Sequence, residues 1–340
     1  MNMVSIKDVA KAAGVSPSTV SRVVNGSDSS AASPETQERI WNAVRELGYV
    51  LNQNARSLKR PLLEFDLSKR DIDCIYARTS GPHLDPFFTE LMHEVEIEAL
   101  KDGFHLRYQY SIAQMRADIV PRQEDRADAA IILGRTDEET IQWLQGMYRY
   151  LICVGLQDRE FPVDQVLCHG YDAAKTCVDY LHGLGHRSIC YLGETVDEQR
   201  YQAFLDSMHA IGVEHPEELA VDAPFSPAGG YGAVHRLLQD GKEFTAILCA
   251  NDMLAVGALK ALKEQRFRVP KDVSLIGIND METSRYLDPM LTTVAIPVRE
   301  MGKHAAKMLI DRINGGHSAP VKLILPSNLI CRESCAIARE

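Results

Sequence analysis

Residues Ser5 to Asn25 read SIKDVAKAAGVSPSTVSRVVN, and the spacing within this stretch predicts two short helices joined by a tight turn. Ser5 is an N-cap residue type, and Asp8 lies where a first-turn carboxylate favours the helix dipole. Ile6, Val9 and Ala10 supply an apolar stripe at helical period. Gly14 follows, the residue type that ends a helix in a left-handed conformation. Ser16 then caps a second helix, with Pro17 at its first position, where the missing N–H costs nothing. Val20, Val23 and Val24 form the inner face, leaving Pro17, Ser18, Ser21, Arg22 and Asn25 outside. Two helices so spaced around a glycine turn describe a helix-turn-helix, whose second helix enters the DNA major groove. They also describe a plain helical hairpin, which buries little without a third helix. Ser33-Pro34-Glu35 provides a cap, a first-turn proline and an acid. Ile40, Val44 and Leu47 give an apolar face, and Gly48 a stop, so residues 5–48 read as a compact three-helix unit.

IKDVAKAAGVSPSTVSRVVN (6–25) followed by SPETQERIWNAVRELGYVLNQNARSL (33–58) resembles the N-terminal segment of the LacI/GalR family of bacterial repressors, and the resemblance continues to the C-terminus. It implies a headpiece in which Pro17, Ser18 and Arg22 face base edges, while Ser5, Ser16, Ser21 and Asn25 hold phosphates. Residues 52–59 read either as a linker or as one or two helical turns too short to be stable alone. The family reading is a hinge helix that orders on the operator, beginning near Asn52, with Ala55 and Leu58 in the minor groove and Leu58 as the wedge. Leu51 stands where many members have proline.

Length and composition bound the rest. At 340 residues two or three domains are expected, and 45% hydrophobic with 25% charged residues is a soluble globular composition. The net charge of −10 is uneven. Residues 1–60 carry eight lysines and arginines against five acids, a surplus of three positive charges, which leaves −13 for the remainder. A basic head on an acidic body attracts phosphate through one face. The eight cysteines contain no C-x-x-C pair and read as reduced thiols of a cytoplasmic protein. The N-terminus lacks an apolar signal region, and no apolar run is long enough to span a membrane.

From Asp71 short apolar strands alternate with helices, which argues for parallel sheets covered on both faces. Strands are expected at 71–77, 105–110, 129–133, 150–154, 188–192, 246–250 and 273–278. LDPFF (84–88), ADAAIIL (127–133), LGHRSICYLG (184–193), ILCANDMLAVGALKAL (247–262), VPKDVSLIGIND (269–280) and LTTVAIPVREMGKHAAKMLI (291–310) match successive blocks of the same family. The implied fold is an all-α helix-turn-helix headpiece (1–60) plus a two-lobed, periplasmic-binding-protein-like α/β body (61–340) with two doubly wound parallel sheets. Its N-lobe would span 71–169 and 294–325, its C-lobe 170–293 and 326–340, with crossings near 170, 293 and 325.

A sugar requires planar polar groups for its hydroxyls and an aromatic face for its C–H side. Asn251, Asn279 and Asp280 end strands, Arg200 opens a helix, and Phe87, Phe88 and Phe225 lie nearby. Each also has an ordinary structural reading: Asp252 in particular is expected to cap a helix, and one of Phe87 and Phe88 to be core. The resemblance implies effector contacts for Phe87, Phe88, Arg200, Phe225, Asn251 and Asn279. VDEQRYQAF (196–204) and PSNLICRESC (326–335) are most similar to the galactoside-responsive branch. Asn279 falls where the family usually carries aspartate, and the strand ending Val154-Gly155 lacks another, although Asp158 is close by. No nucleophile elbow, zinc-protease motif, Walker A loop or dinucleotide fingerprint is present, so no catalytic residue, metal site or cofactor is assigned.

The expectation is a non-enzymatic homodimeric or tetrameric repressor of a carbohydrate operon, released from a palindromic operator by a sugar bound between the lobes. The runner-up is a corepressor mechanism driven by a purine or sugar phosphate.

Overall fold

The computed structural model describes residues 6–24, 32–47, 70–77, 85–117 and 127–339. The chain forms two compact units, Met1–Asp66 and Leu67–Glu340. The expected hinge at 52–59 lies outside the described residues.

In the first unit, α1 (Ile6–Ala13), α2 (Pro17–Val24) and α3 (Pro34–Leu47) pack around Val9, Ala10, Ala13, Val20, Val23, Ile40 and Ala43. Gly14 adopts φ +65°, the left-handed conformation that a side chain would strain. The Val15 N–H then reaches back to Ala10 O at 3.0 Å and closes α1. Ser16 caps α2, its hydroxyl accepting from Thr19 N at 3.1 Å, and Ser33 caps α3 through Thr36 N.

Among the described residues, the second unit contains two six-stranded sheets. The first combines β1 (Asp71–Tyr76), β2 (His105–Ser111), β3 (Ala129–Leu133), β4 (Tyr150–Gly155), β5 (Asp164–Leu167) and β11 (Lys322–Ile324), in the order β11-β5-β4-β3-β1-β2. The second combines β6 (Ile189–Gly193), β7 (Ala220–Asp222), β8 (Ala246–Cys249), β9 (Ser274–Asn279), β10 (Thr292–Ala295) and β12 (Asn328–Ile330), in the order β12-β10-β9-β8-β6-β7. Among the described residues, all pairings are parallel except β10 with β12.

Between the strands run α4 (Pro86–Lys101), α5 (Ile112–Arg116), α6 (Glu138–Gln145), α7 (Gly170–Gly183), α8 (Gln199–Ala210), α9 (Pro227–Gln239), α10 (Asp252–Glu264) and α11 (Val298–Ile313). Successive side chains of a strand face opposite ways. Ala129, Ile131 and Leu133 belong to one apolar cluster, and Ala130 and Ile132 to another, so β3 is buried on both faces. That is why it reads as an unbroken apolar run.

The short strands β5, β7, β10, β11 and β12 had no periodic signal. β10 stands in the second sheet through Ala295, and α11 packs on β3, β4, β5 and α4 of the first lobe. The chain therefore leaves the second lobe between 295 and 298, a few residues beyond the crossing expected near 293. The other two passages fall between β5 and α7 and between β11 and β12. No helix among the described residues is long and apolar enough to cross a membrane.

Candidate functional site

Two regions gather the residues singled out in the sequence. The first is α2. Ser16, Pro17 and Ser18 are exposed at its N-terminus. The Ser16 hydroxyl lies 2.7 Å from that of Ser18 and 2.8 Å from that of Thr19. No acid occupies the first turn, so exposed hydroxyls surround the positive end of the helix dipole, a phosphate-compatible surface. Ser21 and Arg22 lie within α2, whereas Ser5, Asn25, Asn52, Ala55 and Leu58 lie outside the described residues.

The second region is the cleft between the sheets, at the carboxyl ends of their strands, where open α/β sheets bind ligands. Arg200, in the first turn of α8, is only 7% exposed. Its Nε donates to Glu198 Oε1 at 2.8 Å, and Nη2 to Oε2 at 2.9 Å. Its Nη1 donates to Ala250 O, at the end of β8, at 2.8 Å. The Phe225 ring, in the loop after β7, lies 4.5 Å beneath the guanidinium. Burial alone would lower the Arg200 pKa, but the Glu198 carboxylate outweighs it and raises it, so the group stays charged. Glu198 also caps α8 through the Arg200 N–H at 3.1 Å.

Asn251 caps α10, its Oδ1 accepting from Leu254 N at 2.9 Å. The ladder pairs Leu248 with Ile276, and Asn251 and Asn279 stand three residues beyond on each strand. Asn279 has φ +124° and a buried Oδ1 with no hydrogen-bond partner. An orphaned amide oxygen at a cleft invites a donor.

Two expectations need correction, that Asp252 caps a helix and that Phe87 contacts the effector. Asp252 is not the cap. It is fully buried, accepting from the Ser284 and Thr293 hydroxyls at 2.7 Å each and from Met281 N at 2.8 Å, and desolvation pushes its pKa up to about 6. Phe87 is core, 4% exposed, and meets Phe88 edge-on with ring centroids 5.2 Å apart. Phe88 is the one that reaches the cleft wall, its ring closing over Gly134 at the end of β3. Asp158 is bound by Lys322 at 2.5 Å and faces His169 at 3.4 Å, so it ties the crossing segments together.

The sequence reading missed the charged bridge across the cleft. Arg135, after β3, donates to Val196 O at 2.9 Å, to Asp197 O, and to Glu194 Oε2 at 3.0 Å. From the loop after β4, Gln157 donates to Asp197 O at 3.2 Å and Arg159 to both Asp197 carboxylate oxygens. The Asp158 backbone and the Gln199 amide bond reciprocally at 3.3 and 3.2 Å. A cavity of about 350 Å³ lined by Arg135, Glu194, Val196, Asp197, Asp222 and Pro224 lies against this bridge, large enough for a small ligand. The available signal was position: each of these residues follows the carboxyl end of a strand.

A three-helix headpiece with a helix-turn-helix, on a chain whose second unit is two parallel α/β lobes around a polar cleft, defines a ligand-responsive DNA-binding regulator. Residues 5–52 match the family described as bacterial regulatory proteins, lacI family, and residues 178–335 match the periplasmic binding protein-like domain. The chain is 30% identical over 345 residues, 98% of each chain, to the HTH-type transcriptional repressor PurR of Mannheimia succiniciproducens. Among solved structures it resembles a transcriptional regulator CelR–cellobiose complex, with TM-score 0.70, 25% identity and 97% of this chain and 99% of that one covered. It also resembles a LacI family regulator from Enterococcus faecium with bound ribose, with TM-score 0.69, 25% identity and coverage of 79% and 100%. The chain belongs to the LacI family and is a DNA-binding transcriptional repressor.

Proposed function

We propose that this repressor controls a carbohydrate-utilisation operon and is released from a palindromic operator by a sugar bound between the lobes. It acts as a cytoplasmic homodimer, because a two-fold operator requires a two-fold protein. α2 reads a half-site through Pro17, Ser18 and Arg22, with Ser5, Ser16, Ser21 and Asn25 on phosphates. The hinge segment containing Asn52, Ala55 and Leu58 lies in the minor groove.

The observation that carries the effector reading is the Arg200–Phe225 stack beside Asn251 and the unpartnered Asn279 Oδ1. A pyranose or furanose presents hydroxyls to such planar polar groups and a C–H face to a ring such as Phe225 or Phe88. Two solved relatives hold cellobiose and ribose, which supports the same ligand class here. Sugar binding changes the lobe arrangement and hence the spacing of the paired hinges, coupling two sites through one two-state element.

The test is operator affinity titrated with monosaccharides, disaccharides, sugar phosphates and purines. A sugar that weakens operator binding supports induction. A purine or sugar phosphate that tightens it replaces induction with corepression.

A further inference from the structure

Glu198 does something that recognition of a sugar does not require. Its two carboxylate oxygens take the paired Nε and Nη2 donors of Arg200 at 2.8 and 2.9 Å, the geometry in which a guanidinium otherwise grips a ligand carboxylate or phosphate. It also occupies the N-terminus of α8 through the Arg200 N–H, the other place where an anion would be welcome. Both groups are only 8% exposed.

Two further arginines of the cleft, among the described residues, are likewise engaged. Arg135 pairs with Glu194 at 3.0 Å and faces Glu198 at 3.7 Å, and Arg159 pairs with Asp197. Asp222 adds a further carboxylate to the cavity wall, its Oδ1 accepting from Thr195 N and Oγ at 2.9 and 3.0 Å. Among the described residues, three guanidiniums thus face four carboxylates. An anionic ligand would have to break an ion pair and strand a buried carboxylate. A neutral polyhydroxyl ligand has no such obstacle. Arg200 uses three of its five N–H donors in these bonds, and the Asn279 Oδ1 accepts from a hydroxyl without any change of charge.

Resting on the reading of this cleft as the effector site, we propose that Glu198 is its specificity-determining residue: it fills the anion position of Arg200 from within the chain, so the effector is uncharged and phosphorylated or carboxylated sugars are rejected.

The experiment is thermal unfolding and calorimetric titration of the full chain and of Glu198→Gln, which keeps the shape and a capping oxygen but removes the charge. The probes are inorganic phosphate at constant ionic strength, and matched pairs: galactose with galactose 6-phosphate, glucose with glucuronate, and hypoxanthine with its nucleotide. Phosphate should leave the melting temperature of the wild-type chain unchanged and raise that of Glu198→Gln. In each pair that binds the wild-type chain, the uncharged member should bind at least tenfold more tightly. Phosphate stabilising the wild-type chain, or both chains equally, overturns the proposal, as does a charged member that binds the wild-type chain as well as its parent. The wild-type measurements decide even if Glu198→Gln does not fold. A sugar phosphate binding better than its sugar defeats this inference and leaves the carbohydrate reading intact. Hypoxanthine binding where neither its nucleotide nor any sugar does defeats the carbohydrate reading and leaves this inference standing.

Discussion

Arg135, at the end of β3, and Glu194, at the end of β6, form an ion pair 3.0 Å long between the two lobes. The same guanidinium bonds the Val196 and Asp197 carbonyls, so one side chain spans the cleft with three bonds. Both partners are about one-fifth exposed, which limits the ion pair to about 1 kcal/mol. The carbonyl bonds bring the total to about 1–2 kcal/mol. Arg135→Ala should therefore loosen the closed arrangement and weaken effector affinity roughly five- to thirtyfold. Isothermal titration with the identified effector measures the loss, and small-angle scattering measures the accompanying rise in radius. Unchanged affinity would mean that the bridge plays no part in ligand capture.

Arg200 and Glu198 make a different kind of pair, because both are buried. Removing one partner strands the other charge, which costs about 3–5 kcal/mol, whereas removing both is far milder. Arg200→Ala is expected to destabilise the body strongly and to abolish the effector response. The double variant Glu198→Ala/Arg200→Ala should recover much of the stability but none of the response. Denaturant unfolding of the four chains measures the coupling. If the double variant is as unstable as the sum of the singles, the pair is not a unit.

The long elements were legible because their physics is local. Ser16, Pro17 and Gly14 mark helix ends by backbone chemistry alone, and Ala129–Leu133 reads as a strand because burial on both faces removes polar residues from it. β11 and β12 were not legible: three residues each, they exist only because the chain crosses between lobes there. β10 begins with Thr292-Thr293, polar residues that are nonetheless fully buried, since the Thr293 hydroxyl donates to Asp252 and that of Thr292 accepts from Arg332 N. Asp252 itself follows a strand and opens a helix, so local reasoning made it a cap, while tertiary contacts made it a buried hub. The cleft bridge was invisible for the same reason: Arg135, Arg159 and Asp197 resemble any solvated loop charges until the fold brings them together.

Asp252 gives the protein a testable pH dependence. Desolvation raises its pKa from 3.8 to about 6, against the opposing hydrogen bonds of Ser284, Thr293 and Met281 N. A carboxyl that holds its proton more tightly in the native state stabilises that state at acid pH, and the contribution is lost as the pH rises through about 6. The full swing is on the order of 3 kcal/mol. Asp164 works in the other direction: burial alone would raise it, but Arg312, His317 and Val321 N outweigh that and hold it low, so its contribution is lost as the pH falls. Wild-type stability alone therefore mixes the two. The difference between wild type and Asp252→Asn isolates the first, and it should fall by up to about 3 kcal/mol between pH 4 and pH 7. A difference that stays flat over that range would mean Asp252 is ionised throughout.

The last prediction concerns the headpiece. Val20 and Val23 are buried in its core, which fixes the rotation of α2. At 3.6 residues per turn, positions 18 and 22 then fall on the side of the helix opposite those valines. Arginine is the residue type best matched to the O6 and N7 acceptors of guanine in the major groove. Arg22→Ala should therefore cost about 1–3 kcal/mol of discrimination between the operator and a site changed at one guanine, while binding to unrelated DNA changes little. Ser16→Ala should act differently: it weakens all DNA alike and also removes the cap on Thr19 N, worth about 1 kcal/mol of headpiece stability. Fluorescence anisotropy on operator, substituted operator and random duplexes at fixed salt separates the two. Equal loss on every duplex for Arg22→Ala would move base reading to another position of α2.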